Sequence, residues 1–150
     1  MDKRREKLAE DFGVSAERMF EVLMTLTAIR SWFGASTAIV EAREGSSWMT
    51  AWGEDESGLE FVTSFGILKF EPPARVLLGY GKLRNEDRWP IATNITTDLV
   101  VEPTSTGCTL RIIQELDPHD ELLDEYFDAC VTGWQNSFEG IRNYLHHNPT

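Results

Sequence analysis

The sequence predicts an α+β domain: a run of antiparallel strands covered on one side by a long C-terminal helix, with two short helices near the N-terminus. Three observations predict it. Segments of alternating apolar and polar residues, separated by turn-forming stretches, fill the middle of the chain. The final segment, around Gly133-Trp134-Gln135-Asn136-Ser137-Phe138, has its apolar residues at helical spacing instead. With 150 residues, 41% of them hydrophobic and 11% aromatic, the chain suits a single domain spanning 1–150 with a sizeable core.

Lys7 to Phe12 alternates through Leu8, Glu10 and Phe12 and reads as a short first strand. Ser15 can cap a helix through Ala16 to Leu23, whose apolar side is Met19, Phe20, Val22 and Leu23. A second helix covers Thr27 to Phe33 and stops at Gly34. Strands then occupy Ser36 to Ala42, Ser47 to Gly53, Leu59 to Phe70 and Val76 to Gly81. Turns separate them at Arg43-Glu44-Gly45, Glu54-Asp55-Glu56-Ser57-Gly58 and Glu71-Pro72-Pro73. Leu59, Phe61, Thr63, Phe65 and Ile67 share a mostly apolar face and point inward; for Trp48, Thr50 and Trp52 alternation does not choose between core and exposed edge.

A long loop with a charged start runs from Lys82 to Thr93. Asn94 to Glu102 and Cys108 to Leu116 flank Pro103-Thr104-Ser105-Thr106-Gly107 as a hairpin. Ile95, Thr97, Leu99 and Val101 share one of its faces, and Cys108, Leu110, Ile112 and Leu116 answer on the partner strand. One wet face and one dry face belong to an antiparallel sheet covered on a single side.

The cover is the last helix. Asp117 can cap it, Pro118 suits its first position, and Asp120 and Glu121 favour its positive end, with His146 and His147 at the negative end. From Pro118 to His147 it would reach about 45 Å at 1.5 Å per residue. Leu123, Phe127, Val131, Trp134, Phe138, Ile141 and Leu145 form a wide apolar stripe, opposed by Asp124, Asp128, Gln135, Glu139, Arg142 and His146. Between them runs a stripe of Tyr126, Ala129, Cys130, Gly133, Ser137, Gly140 and Tyr144, almost bare of side chains in its middle. Each glycine costs a helix about 1 kcal/mol relative to alanine, so the bare line needs a reason. Three readings stand: a neighbour packed close, the border of a ligand cavity, or a subunit contact framed by the two tyrosines in a homodimer.

Net charge is −11, which opposes non-specific binding to nucleic acid or anionic membranes. No apolar run approaches the roughly 20 residues of a membrane span, and the basic start MDKRREKLAEDF has no apolar stretch behind it as a signal peptide would. A cytoplasmic setting is the expectation, with Cys108 and Cys130 as two buried free thiols.

Chemistry is scarce. His119, His146 and His147 all sit at the ends of one helix, away from any glycine-framed serine or cysteine, so no nucleophilic triad is expected. His119-Asp120-Glu121 and Asp124-Glu125-Asp128 read as solvated helix carboxylates, and Glu54-Asp55-Glu56 as a turn with at most weak cation affinity. No metal or cofactor is expected, because no CxxC, HExxH, phosphate-binding glycine loop or EF-hand loop occurs in the sequence.

Taken in order along the chain, several residues resemble a known family. They are the two short helices ending in Ile29-Arg30-Ser31-Trp32-Phe33, the Glu71-Pro72-Pro73-Ala74-Arg75-Val76 edge, the hairpin leading out through Gly107-Cys108-Thr109-Leu110, and Gly133-Trp134 in the long last helix. Together they are similar to the SRPBCC (START-like) superfamily, nearest the homologues of the activator of the heat-shock-protein-90 ATPase. Phe65 stands, with Gly66 beside it, where relatives often carry glycine. The resemblance implies a helix-grip fold, a curved antiparallel sheet wrapped around the C-terminal helix with a cavity between them. It implies little about activity, since the superfamily includes carriers, receptors and cyclases.

A curved sheet cannot follow a straight helix along its whole length, so a gap is expected where they diverge. Phe127, Val131, Trp134 and Phe138 of the helix would face Phe61, Phe65, Leu99, Leu110 and Ile112 of the sheet across it. Such walls suit a small apolar or aromatic ligand. The rival expectations are a protein-interaction module or chaperone partner using the acidic surface, and a cyclase- or hydrolase-type enzyme using Tyr80, Asp98 or Arg30.

Overall fold

Alternation along the chain becomes one curved antiparallel sheet. The computed structural model describes residues 2–33, 37–52, 61–85 and 88–149, and the side chains within them except at 37, 39, 51–52, 61–63, 80–85 and 88–92. Its strands are β1 (Arg4–Phe12), β2 (Thr37–Val40), β3 (Ser47–Trp52), β4 (Phe61–Glu71), β5 (Arg75–Asn85), β6 (Arg88–Ala92), β7 (Ile95–Thr104) and β8 (Gly107–Leu116). Helices α1 (Ala16–Met24) and α2 (Leu26–Phe33) follow β1, and α3 (Asp124–His147) ends the chain. The order across the sheet is β1-β8-β7-β5-β4-β3-β2, with β6 paired to β5 off that path. The long C-terminal helix and two short N-terminal helices complete the α+β helix-grip layout.

Local chemistry sets the boundaries. Ser15 caps α1 by accepting a hydrogen bond from the Arg18 backbone N–H at 3.1 Å. Gly45 takes φ +84°, the left-handed turn that a side chain resists, and its N–H bonds the Ile67 carbonyl at 2.8 Å. β4 carries register shifts between Ser64 and Gly66 and between Ile67 and Lys69, and such bulges bend a strand.

Several boundaries differ from the sequence reading. The first strand starts at Arg4 rather than Lys7, because β1 pairs with β8 along its whole length, from Arg4↔Leu116 to Phe12↔Cys108. Lys82 to Thr93 is not one loop. β5 continues to Asn85 and β6 pairs back onto it, through Leu83↔Ile91 and Lys82↔Ala92. The charged run from Lys82 to Arg88 hides the period-2 signal there, and Pro90 is tolerated because β6 pairs on one side only among the described strands.

The last helix begins at Asp124, not Pro118, so it spans roughly 36 Å at 1.5 Å per residue. Asp117 caps nothing; the His119 N–H bonds the Asp2 carbonyl at 2.8 Å and ties that segment to the start of the chain. Asp120 instead caps a 3-10 turn, Glu121–Leu123, that leads directly into α3. Gly34, Ser36, Glu54-Asp55-Glu56 and Leu59 lie outside the described residues.

The core sits between the sheet and the helices. Ile67, Val76, Leu78, Leu99, Val101, Cys108, Leu110 and Ile112 from the sheet meet Met19, Leu23, Ile29, Trp134, Phe138 and Ile141 from the helices. A smaller cluster of Ile95, Leu116 and Phe127 closes the end near the start of α3. Two arginines fasten β1 to α3. Arg4 bonds Asp124 at 2.9 Å, pairs with Asp128, and lies 4.3 Å over the Phe127 ring. Arg142, near the other end of α3, bonds Glu10 at 2.7 Å and lies 4.5 Å over Phe12. Among the described residues, no helix is long and apolar enough to cross a membrane.

Candidate functional site

The bare stripe of α3 divides between two uses. At Gly140 the helix lies against the last turn of α2, where an added β-carbon would collide with the Trp32 carbonyl oxygen and come within 2.9 Å of its carbon. Close packing is the reason for that glycine. At Gly133 an added β-carbon would meet nothing within 4 Å. Close packing therefore does not account for Gly133; open space lies beside it.

That space is a cavity of about 450 Å³. One wall is α3, through Tyr126, Ala129, Cys130, Gly133, Trp134, Asn136 and Ser137; the other is Trp32 and Phe33 at the end of α2, with Phe65 of β4. The volume falls within the range of small-molecule sites. Behind the walls the aromatic rings support one another. Phe33 stacks on Trp134 with centroids 5.2 Å apart, and Trp48 lies 6.2 Å from Trp134 and 6.1 Å from Phe65. Trp48 is fully buried, which settles its direction as inward, and its indole N–H has no hydrogen-bond partner. Trp32 is fixed by an indole N–H bond to the Val22 carbonyl at 2.9 Å.

The walls hold little charge. Tyr126 and Cys130, one helical turn apart, hydrogen-bond each other, and both are half-buried because the cavity itself reaches them. Burial, and secondarily the nearby thiol, push the Tyr126 hydroxyl far above its ordinary value. Burial pushes the Cys130 thiol up to about 11, and the bond with Tyr126 offsets this less. Both groups are neutral near pH 7, so neither is an activated nucleophile or base there. Ser137 is buried and donates its hydroxyl to the Gly133 carbonyl at 2.8 Å.

Of the sheet and helix residues expected around a gap, the structure brings Phe65 and Trp134 to this cavity. Leu99, Leu110, Ile112 and Phe138 are buried in the main core, with Phe138 against Phe12 at 6.3 Å. Phe127 and Val131 belong to the smaller cluster, and the side chain of Phe61 is outside the described residues. The residues named for the gap came from the large apolar stripe, whereas the cavity lies along the small one, for which a cavity border was one of the three readings. Trp32 and Phe33 were missed as wall residues, although an aromatic pair ending a short helix was visible. Cys130, expected to be buried, sits on the wall; Cys108 is buried as expected, and both thiols are free.

The polar groups considered for catalysis are elsewhere. Asp98 lies on the outer face of β7 in a two-pronged bond with Arg75, both contacts at 2.8 Å. Arg30 is exposed on α2, and the side chain of Tyr80 is outside the described residues. Tyr126 and Tyr144 are both used within the chain, the first on the cavity wall and the second against the core beneath Arg18. A wider depression is lined by Asp2, Asn94, Pro118, His119, Asp120, Glu121 and Leu122. His119 there is bonded to Asp124 at 2.8 Å, and no group of three metal-ligating side chains occurs among the described residues.

Solved structures share this architecture. A Mycobacterium smegmatis protein superposes with a TM-score of 0.78 at 13% identity, over 96% of this chain and 92% of its own. A Rhizobium leguminosarum protein gives 0.76 at 15% identity over 97% and 96%, and a Chromobacterium violaceum protein 0.69 at 18% over 92% and 94%. At such identities the likeness shows the fold alone. No curated protein matches the chain in sequence. The sequence pattern of one family runs through residues 13–146, across both N-terminal helices, β2 to β8 and α3, and the chain belongs to that family, described as Activator of Hsp90 ATPase homolog 1-like protein.

Proposed function

We propose that this protein binds a small apolar or aromatic molecule in the cavity between the aromatic end of α2, β4 and the small-residue stripe of α3. The observation that carries the reading is the open space at Gly133, where an added β-carbon meets nothing within 4 Å on a wall otherwise made of rings and small side chains. A helix interior glycine disfavours the helix by about 1 kcal/mol, so its use beside an opening fits a site kept clear for an occupant. The family is one known for ligand binding in a hydrophobic cavity, which supports the same reading.

Transfer of an aromatic molecule into such walls is driven mainly by removal of apolar surface from water. Micromolar affinity, on the order of −8 kcal/mol, is the expected strength. Trp134 and Trp32 lie on the wall, so tryptophan fluorescence should report entry. A titration with 2-acetylnaphthalene should give a saturable change that Phe65→Ala weakens. Absence of any saturable change up to the solubility of the probe would reject the reading.

A further inference from the structure

We infer that the cavity selects uncharged aromatic molecules over carboxylates of the same shape. The inference rests on the ligand-binding reading above and gives it a ligand class. Among the described residues that line the cavity there is no Lys, Arg or His, so nothing there would pair with a buried anion. The polar groups present are the Tyr126 hydroxyl and Cys130 thiol, which bond each other, an amide at Asn136, which is exposed, and the Ser137 hydroxyl, which already donates to the Gly133 carbonyl. These suit one carbonyl or hydroxyl on the ligand.

The walls themselves show what a negative charge meets. Burial pushes the Cys130 thiol from an ordinary 9.0 up to about 11, which disfavours its anion about a hundredfold. Tyr126 resists ionisation for the same leading reason. A ligand carboxylate placed between these groups and the rings of Phe33 and Trp134 would lose its water in the same way. The net charge of −11 adds a long-range repulsion that salt reduces.

The test compares 2-acetylnaphthalene with 2-naphthoate, which are nearly isosteric, by calorimetric titration of the intact protein at pH 7. Each titration is repeated with Gly133→Leu and with Ala129→Leu, two changes that fill the cavity from different positions. The expected result is that the ketone binds on the order of a hundredfold more tightly than the carboxylate, and that either filling variant removes its binding. Naphthoate binding as tightly as the ketone, or more so, overturns the inference while leaving the ligand-binding reading in place. Binding of neither compound overturns the ligand-binding reading itself, and ketone binding unchanged in both filled variants places it outside this cavity and overturns the inference.

Discussion

Gly140 of α3 faces the backbone carbonyl of Trp32 so closely that no β-carbon fits between them. The contact lets the last turn of α2 lie directly on α3. It also brings Trp32 and Phe33 level with Trp134, at 6.2 and 5.2 Å between ring centroids. One bare position thus places the aromatic wall of the cavity, and the other, Gly133, leaves the cavity open.

Gly140→Ala should therefore destabilise the protein, by roughly 1–3 kcal/mol through overpacking. Gly133→Ala should instead stabilise it, by up to about 1 kcal/mol from helix propensity. Opposite shifts in melting temperature are the expected outcome; equal shifts would show that the two glycines share one environment.

Much of this fold was legible because alternation and helical spacing report burial directly. The hairpin faces, the Ser15 cap and the inward Phe65 and Ile67 all follow from side chains meeting either water or core. β6 was hidden because the segment opens with the charged run from Lys82 to Arg88 and carries Pro90, which together mask the alternation of two paired strands. The cavity was half legible. A line of small residues shows that something unusual lies beside a helix, but close packing and open space leave the same mark. Only the position of Trp32, set by α2, separates Gly140 from Gly133.

Phe138 and Phe65 separate core from cavity. Phe138 packs on Phe12 away from the cavity, so Phe138→Ala should cost stability, by roughly 3–5 kcal/mol for a large ring lost from the core. Phe65→Ala should cost less stability and more affinity for 2-acetylnaphthalene. Urea unfolding paired with ligand titration checks both, and a Phe138→Ala protein that stays stable but loses binding would reverse the assignment.

The Cys130 thiol gives an alkaline signature. Its raised folded value means that the neutral form is favoured by folding, so this stability is fully present below pH 9.0 and is lost as pH rises toward about 11. The loss should be at most about 2–3 kcal/mol, and Cys130→Ala should flatten that part of the stability profile. In the native protein at pH 8, iodoacetamide should modify Cys130 slowly although the cavity reaches it. Denaturation without reductant should release two titratable thiols. Rapid native alkylation at pH 8 would contradict the burial argument.

Asp124 gives the acid signature. Hydrogen bonds from His119 first and Arg4 second hold its carboxylate below the ordinary 3.8, so its contribution is present above that value and is lost as pH falls through the lower folded one. The stability difference between the wild type and Asp124→Asn should hold at neutral pH and shrink below pH 3.8. A difference that persists unchanged below that range would show that the carboxylate charge is not what Arg4 and His119 recognise.

The most direct test of ligand entry into the cavity is an amide chemical-shift titration of the ¹⁵N-labelled protein with 2-acetylnaphthalene. Gly133 and Ala129 border the space and should shift saturably, while Gly140, sealed against Trp32, should stay in place. Saturable movement centred on Gly133 is the result this account predicts. A Gly133 resonance that never moves while others titrate, or no titration at all, would contradict it.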